Sequence, residues 1–199
     1  MDKEIIINSD FTEYKKIFLE ENSKVNLISK NDEKYLYEKH IYDSLAIKLT
    51  GLLKDGQTLL DIGCGGGFPS VPIAIEYPQI NVVALDSIRK KINAVNNIKH
   101  ALRLDNLTTV CERAENLKMQ KYDIITSRAV ANLAVIANFA LPLLKKSGYF
   151  IAYKARKAIE EVMASKPILE KYNAKALKII EYTLPMEEVY ERNLVIIGF

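Results

Sequence analysis

From residue 58 onward, short continuous apolar runs alternate with longer segments of helical period. Strands buried on both faces have such runs, and strands separated by helices indicate βαβ units around a parallel sheet. The pattern predicts strands at residues 58–62, 81–85, 108–111, 122–126, 149–153, 176–182 and 194–197. It predicts helices at residues 70–77, 88–102, 132–144 and 157–172.

The last two predicted strands are joined only by a short polar link at 185–191, which predicts an antiparallel hairpin at one side of the sheet. Before residue 58 the pattern is helical, since Phe11, Tyr14 and Phe18 recur at helical spacing behind Asp10, a plausible N-cap. We therefore predict an α/β fold: a Rossmann-like, doubly wound, mostly parallel seven-stranded sheet with an N-terminal helical extension. It forms one domain over 1–199, with the helices in 1–50 and the α/β core in 57–199.

Composition narrows the class of protein without naming its partner. Of the 199 residues, 49% are hydrophobic and 27% charged, which excludes a disordered or fibrous chain. The net charge of +3 excludes a polybasic nucleic-acid binder but not a local basic face. The two cysteines and two histidines match no zinc spacing, so we expect no metal.

Targeting signals are not evident in the sequence. The start, Met1 to Glu4, carries charges of both signs and does not resemble a secretion signal. The longest apolar stretch, residues 129–144, is shorter than the ~20 residues that a membrane span needs. We expect a cytoplasmic protein with no membrane association, and a monomer.

A glycine-rich loop directly follows the first predicted strand, at Gly63, Gly65, Gly66 and Gly67. Such a loop lets the backbone turn sharply and approach a ligand closely. Its spacing does not match the G-x-G-x-x-G of dinucleotide-binding proteins, and no Gly-Lys-Ser/Thr of a phosphate-binding loop follows. An acidic residue two places before G-x-G-x-G is typical of methyltransferases that use S-adenosylmethionine, and Asp61 occupies that place.

A second carboxylate stands where such a cofactor would need it. Asp86 follows the second predicted strand, 23 residues after Gly63, and a carboxylate there can bind the ribose hydroxyls. The alternative interpretation is that Asp86 only caps the helix that begins near Ile88.

Several uncommon strings occur in the order found in one known family. The segment from Phe68 to Ile75 resembles the G-F-P-G-I-P-L-A-I signature of the RsmG (GidB) family, bacterial methyltransferases that act on guanine N7 in 16S ribosomal RNA. Residues 38–45, 113–115 and 127–131 also resemble the family's strings. The chain departs from the family at Ser70 and at Ala155, where glycine is usual.

The resemblance implies a class I S-adenosylmethionine-dependent methyltransferase whose partner is 16S rRNA in the small ribosomal subunit. It implies that Gly63 and Phe68, with Gly65 and Gly67, lie beside the methionine part of the cofactor. Asp86 would bind the ribose, Ala114 and Glu115 would flank the adenine, and Arg128 would close the pocket.

Guanine N7 carries a lone pair and no proton, so it can attack a methyl sulfonium without a general base; alignment and exclusion of water are what it needs. No residue is therefore a certain catalyst, and the candidates are His40, Asp43, Arg128 and Lys154. His40 and Asp43 share a helix face and either contact the target base or form a local pair that fixes the helix. For RNA, residues 145–175 offer 8 basic against 3 acidic groups, which could equally be a solvated surface.

Two other functions stay open at this point. The first is a methyltransferase of the same fold that acts on another RNA, a protein or a metabolite. The second is a non-catalytic RNA-binding or assembly protein, against which the intact Asp61, Gly63, Gly65, Gly67 and Asp86 argue.

Overall fold

The structure, a computed structural model, describes residues 5–117 and 120–199, so the charged start at 1–4 lies outside it. The strands are β1 Thr58–Ile62, β2 Asn81–Asp86, β3 Leu107–Cys111, β4 Tyr122–Arg128, β5 Leu144–Lys154, β6 Lys175–Thr183 and β7 Glu191–Gly198. The α-helices are α1 Thr12–Val25, α2 Lys30–Glu33, α3 Asp43–Leu45, α4 Ser70–Glu76, α5 Arg89–Leu102, α6 Leu133–Ala140 and α7 Ala158–Lys171. A π-helix spans Leu36–Tyr42, and 3-10 turns span Ala46–Thr50, Ala114–Asn116 and Leu141–Leu143.

The strands form one seven-stranded sheet in the order β3-β2-β1-β4-β5-β7-β6. All neighbours are parallel except β7, which lies antiparallel between β5 and β6. This confirms the predicted fold class and the terminal hairpin. The strand order reverses between β1 and β4, and in open α/β sheets ligands bind beyond the carboxyl ends of the strands at such a point.

Alternating residues of the sheet pack against helices on its two faces. On β1, Leu59 belongs to the apolar cluster that includes Phe18 of α1, Val71 of α4 and Val95 of α5. Its neighbour Leu60 belongs to the opposite cluster, which includes residues of α6 and α7. None of the helices in 5–117 and 120–199 is long and apolar enough to cross a membrane.

Several element boundaries differ from the predicted ones. The helix predicted over 132–144 ends as an α-helix at Ala140 and continues as a 3-10 turn, because Pro142 lacks the N–H that an α-helix uses. Leu144 then begins β5. At the N-terminus α1 begins at Thr12, so Phe11 and not the predicted Asp10 is the N-cap; Asp10 lies one residue earlier and accepts hydrogen bonds from the Thr12 backbone N–H (2.9 Å) and hydroxyl (2.7 Å).

The segment from Leu36 to Thr50 is helical, as its pattern predicts, but it is not one regular helix. A π-helix, the short α3 and a 3-10 turn follow one another. Within it the carbonyl of Lys39 accepts a hydrogen bond from Arg128 of β4 at 3.1 Å. Partners from the sheet, which local helix propensity does not encode, therefore hold this segment.

Two buried tyrosines fasten the same segment to the sheet. The hydroxyl of Tyr153 on β5 donates to the carbonyl of Ser44 at 2.6 Å, and that of Tyr182 on β6 donates to Asp43 Oδ1 at 2.7 Å. Tyr153 is 5% exposed and Tyr182 is 7% exposed. The hydrogen bond of Tyr182 is the stronger of the two, because its acceptor is a charged carboxylate and that of Tyr153 is a neutral carbonyl.

Removing the Tyr182 hydroxyl should destabilise the protein more than removing a hydroxyl with a neutral acceptor. Tyr182→Phe leaves the buried carboxylate of Asp43 short of a donor, so we expect the free energy of unfolding to fall by about 1.5–3 kcal/mol. The control is Tyr172→Phe, whose hydroxyl bonds the amide oxygen of Asn138 at 3.0 Å, with an expected loss of about 0.5–1.5 kcal/mol. Urea unfolding followed by circular dichroism measures the stability of both variants. Equal losses of unfolding free energy in the two would contradict the idea that the charged acceptor strengthens the Tyr182 hydrogen bond.

Candidate active site

The glycine loop continues from β1 with its backbone in the left-handed region. Gly63, Gly65 and Gly67 have φ of 73°, 56° and 90°. A Cβ at Gly63 would overlap the side chain of Val130, whereas a Cβ at Gly65 would meet no atom within 4 Å. Gly65 therefore borders open space, while Gly63 is needed for the close approach of the segment after β4.

Asp86, at the end of β2, contacts the start of α5, as the alternative interpretation of the sequence expects, while its binding of a ribose stays a prediction. Its Oδ1 accepts a hydrogen bond from the Ile88 backbone N–H at 2.8 Å, just before α5 begins. Its Oδ2 accepts from the Gly65 N–H at 2.9 Å. The carboxylate thus joins the glycine loop to the start of α5, and it also lines the cavity described next.

A cavity of about 550 Å³ lies beyond the carboxyl ends of β1, β2 and β4. Its lining brings together most of the predicted cofactor residues: Gly63, Gly65, Phe68, Asp86, Ala114, Glu115 and Arg128. Gly67 is not part of this lining; a Cβ at this position would overlap the side chain of Val71 in α4. The volume and the mixture of apolar walls with one buried carboxylate suit a nucleoside-sized ligand. We call this space the first cavity.

Asp61 holds the glycine loop in place through buried hydrogen bonds. It is fully buried in β1, and it accepts hydrogen bonds from the Ser70 N–H at 3.2 Å and the Thr126 hydroxyl at 3.1 Å. Burial raises the pKa of this carboxyl to about 6, although both hydrogen bonds oppose the rise. Its contacts tie β1 to α4 and β4, so its role is to position the loop.

Arg128, the last residue of β4, is held by four groups. Its guanidinium donates to Asp43 Oδ2 at 2.8 Å, to the Lys39 carbonyl at 3.1 Å and to His40 Nδ1 at 2.9 Å. It also lies over the ring of Phe68, 5.1 Å from the centroid. The side chain is 14% exposed, so its main effect is to position the residues around it.

His40 is fixed between Arg128 and Phe68. Its ring centroid lies 4.8 Å from that of Phe68, with 37° between the planes. Burial, with the Arg128 charge, lowers the pKa of His40 to about 4. The ring is therefore neutral at physiological pH.

A second cavity, of about 670 Å³, meets the first one at His40, Arg128, Ala129 and Val130. Its lining also includes Asp32, Lys39, Asp43, Lys154, Tyr190 and Arg192. Ala129 has a φ of 56°, a strained conformation for a residue with a side chain. The backbone thus turns sharply where the two cavities join.

The other candidate residues at the second cavity, Asp43 and Lys154, each form an ion pair. Asp43 is bonded to Arg128 and Tyr182 rather than to His40, so the predicted local pair is instead two residues that share Arg128. Lys154 donates to the Ala131 carbonyl at 2.8 Å and lies 2.7 Å from Glu161. It therefore shapes the segment after β4.

Sequence reasoning missed Tyr182, Tyr190 and Arg192. Arg192 Nε lies 3.6 Å from Asp43 Oδ1, and Tyr190 lies beneath the ammonium group of Lys39, 5.2 Å from its ring centroid. They reach the site because β7 inserts between β5 and β6. No local motif marks them, and only the strand order could have found them.

Of the basic residues predicted to face RNA, Arg156 and Lys157 line a third cavity together with Tyr190 and Arg192, beside the second one. Arg156 pairs with Glu191 at 3.2 Å on the exposed surface. Their contact with RNA stays a prediction.

Cys64 lies in the glycine loop, and burial raises the pKa of its thiol well above the usual value. The thiol is therefore protonated at physiological pH, which does not favour a role as nucleophile.

Comparisons with known proteins agree with this geometry. Residues 7–194 match the model of a family described as GidB, rRNA small subunit methyltransferase G. The chain is 40% identical over 192 residues to ribosomal RNA small subunit methyltransferase G of Bacillus licheniformis, covering 94% of this chain and 80% of the relative. It is 38% identical to the protein of the same name from Bacillus subtilis, with the same coverage.

Solved structures show the same fold at low identity. Precorrin-6y C5,15-methyltransferase from Geobacter metallireducens matches with a TM-score of 0.56 and 16% identity, over 77% of this chain and 85% of that one. TYW2 from M. jannaschii, solved in complex with AdoMet, matches with a TM-score of 0.57 and 15% identity, over 76% and 73%. The chain thus has the fold of S-adenosylmethionine-dependent methyltransferases.

The half-buried, neutral His40 should make stability depend on pH. The unfolded chain binds a proton on this ring near pH 6.5 and the folded chain only near pH 4, so between these values acid favours unfolding. Between pH 7.5 and pH 5, the free energy of unfolding should fall by about 2 kcal/mol less in His40→Phe than in the unmodified protein. Asp61 acts in the opposite direction, because its raised pKa makes the folded state bind the proton. Urea unfolding of the unmodified protein and of His40→Phe at pH 7.5 and pH 5 measures this difference, because both proteins contain Asp61. The same loss of stability in the two proteins would disprove the contribution of His40.

Proposed function

This chain belongs to the rRNA small subunit methyltransferase G family, and from that premise we propose that it methylates N7 of a guanine in 16S ribosomal RNA with S-adenosylmethionine as donor. The observation that carries the proposal is the meeting of two cavities at His40 and Arg128. One has the size and carboxylate that suit a nucleoside cofactor, and the other can receive a base.

The residues of the first cavity fit the cofactor. When bound, S-adenosylmethionine supplies an electrophilic methyl group carried on a sulfonium. We assign Gly63 and Phe68 to its methionine part and Asp86 to its ribose, where the carboxylate would accept hydrogen bonds from hydroxyl groups. Ala114 and Glu115 would flank the adenine.

The acceptor chemistry fits the groups at the junction. Guanine N7 needs no base to remove a proton. His40 is neutral, and Asp43 and Lys154 are each held in an ion pair. We propose direct transfer to N7 with no covalent intermediate on the protein. The protein's contribution is to align the base and to exclude water.

The second cavity supports the RNA part of the proposal. An RNA base can enter a pocket only when it is unpaired or turned out of its helix. Lys39 and Arg192 line this cavity and can contact phosphate, and the ring of Tyr190 can stack on a base. The substrate we propose is the small ribosomal subunit or its rRNA, and the enzyme would act on it in the cytoplasm as a monomer.

The test is to identify and map the product. The protein is incubated with labelled S-adenosylmethionine and either 30S subunits that lack the modification or the naked 16S rRNA. We expect 7-methylguanosine at one position, located by borohydride reduction and aniline cleavage. Subunits that already carry the modification serve as the control and should take up no label. Label in the protein alone, or no label in any RNA, would overturn the proposal.

Asp86 provides a test of the cofactor site. Asp86→Asn removes the charge and keeps one accepting oxygen, enough for either the Gly65 or the Ile88 N–H group but not for both. We therefore expect about 10- to 100-fold weaker binding of S-adenosylhomocysteine. The matched control is Asp105→Asn, an exposed aspartate before β3, with unchanged binding expected. Isothermal titration calorimetry measures both. Equal affinity in Asp86→Asn and the unmodified protein would refute the role given to Asp86.

A further inference from the structure

Two buried nitrogen atoms at the second cavity have no hydrogen-bond partner within the described residues. They are Nε2 of His40 and Nε of Arg192. A buried polar atom without a partner is costly, and native proteins rarely leave one unless a ligand or water satisfies it. Arg192 Nε lies 3.6 Å from Asp43 Oδ1 and so has a counter-ion, whereas Nε2 of His40 has none and points to a ligand that presents a hydrogen-bond acceptor.

The hydrogen on the His40 ring can be assigned. A guanidinium can only donate, so the 2.9 Å contact with Arg128 requires Nδ1 of His40 to be the acceptor. The pKa lowered to about 4 keeps the ring neutral, and a neutral imidazole carries one hydrogen. That hydrogen is therefore on Nε2, and the unpartnered atom is a donor.

The position of this donor matters more than its presence. His40 is among the few residues that line both cavities, and its ring is held by Phe68 on one side and Arg128 on the other. His40 is thus held at the junction of the two cavities, beside the space that a target base would have to enter.

The edge of guanine that carries N7 presents two acceptors, N7 and O6. Adenine presents N7 and an amino group, which is a donor. A donor directed at N7 would occupy the lone pair that must react, so the compatible partner is the neighbouring atom. On guanine that atom accepts, and on adenine it would face His40 donor to donor.

We propose that the Nε2–H of His40 donates to O6 of the target guanine and thereby selects guanine over adenine at the acceptor position. This rests on the proposed function, and it adds a residue that reads the identity of the base. Arg128 acts as a positioning residue here, because it sets the tautomer and the orientation of His40. The geometry leaves the N7 lone pair free.

The test is a double-mutant cycle between the residue and the base. The RNA is made by ligation with either guanine or 2-aminopurine at the position mapped above, since 2-aminopurine has a hydrogen in place of O6. The rate of methylation is measured for the unmodified protein and for His40→Phe, which keeps a ring beside Phe68. The change in intrinsic N7 reactivity between the two bases is the same for both proteins, so it cancels.

We expect the guanine-to-2-aminopurine rate ratio of the unmodified protein to exceed that of His40→Phe by about 10- to 100-fold. His40→Gln, whose amide N–H can replace Nε2–H, should recover part of the ratio. The matched control is His100→Phe, an exposed histidine of α5, and it should keep the full ratio.

Equal ratios in the unmodified protein, His40→Phe and His40→Gln would overturn the role of His40, even if every protein methylates guanine N7. A failure of the proposed function looks different, because the unmodified protein would then form no 7-methylguanosine. S-adenosylhomocysteine binding and thermal unfolding establish that each variant is folded. If His40→Phe does not fold, His40→Leu, which has no hydrogen-bond donor, replaces it in the cycle, and a ratio equal to that of the unmodified protein would overturn the proposal.

Discussion

A guanidinium buried at the end of a β-strand must be neutralised, because an isolated charge is very unfavourable in a poorly solvated site. Arg128 meets this requirement through Asp43, whose side chain is 2% exposed and which is equally dependent on a partner. Asp43 also accepts from Tyr182 and lies beside Arg192. One ion pair therefore joins the N-terminal helices to β4, β6 and β7. Removing one partner of such a pair typically costs about 3–5 kcal/mol, so the arrangement is maintained only as a whole.

The same ion pair lies where the two cavities meet. Arg128 is held toward Asp43 and His40, and the next residue, Ala129, has a left-handed backbone conformation that turns the chain after β4. Val130 then lies against Gly63 so closely that only glycine fits there. The glycine in the loop and the strain at Ala129 thus have one cause, which is the need to bring the segment after β4 over the loop after β1.

The sequence was informative wherever chemistry and local pattern coincide. The buried strands, the glycine loop and Asp86 each carry a local signal, and the structure brings them to one edge of the sheet. Tyr182 and Arg192 carry none, because an isolated tyrosine or arginine in a strand is ordinary until the strand order puts it beside Asp43. The π-helix from Leu36 to Tyr42 was also unpredictable, since the partner of its Lys39 carbonyl comes from β4, 89 residues later in the chain. What sequence reasoning lacked was long-range pairing.

That pairing also changes how the first fifty residues should be understood. The sequence suggests a helical addition to a complete cofactor-binding core, yet Asp43 and His40 come from the addition and Arg128 from the core. The rings of Tyr14 and Phe18 pack on Phe68 of the glycine loop, with centroids 6.4 and 5.1 Å apart. Without the N-terminal helices, the core would keep a buried arginine with no carboxylate and a glycine loop with an uncovered aromatic ring. We infer that the helices and the core are one unit, because each buries a group that the other must neutralise or cover.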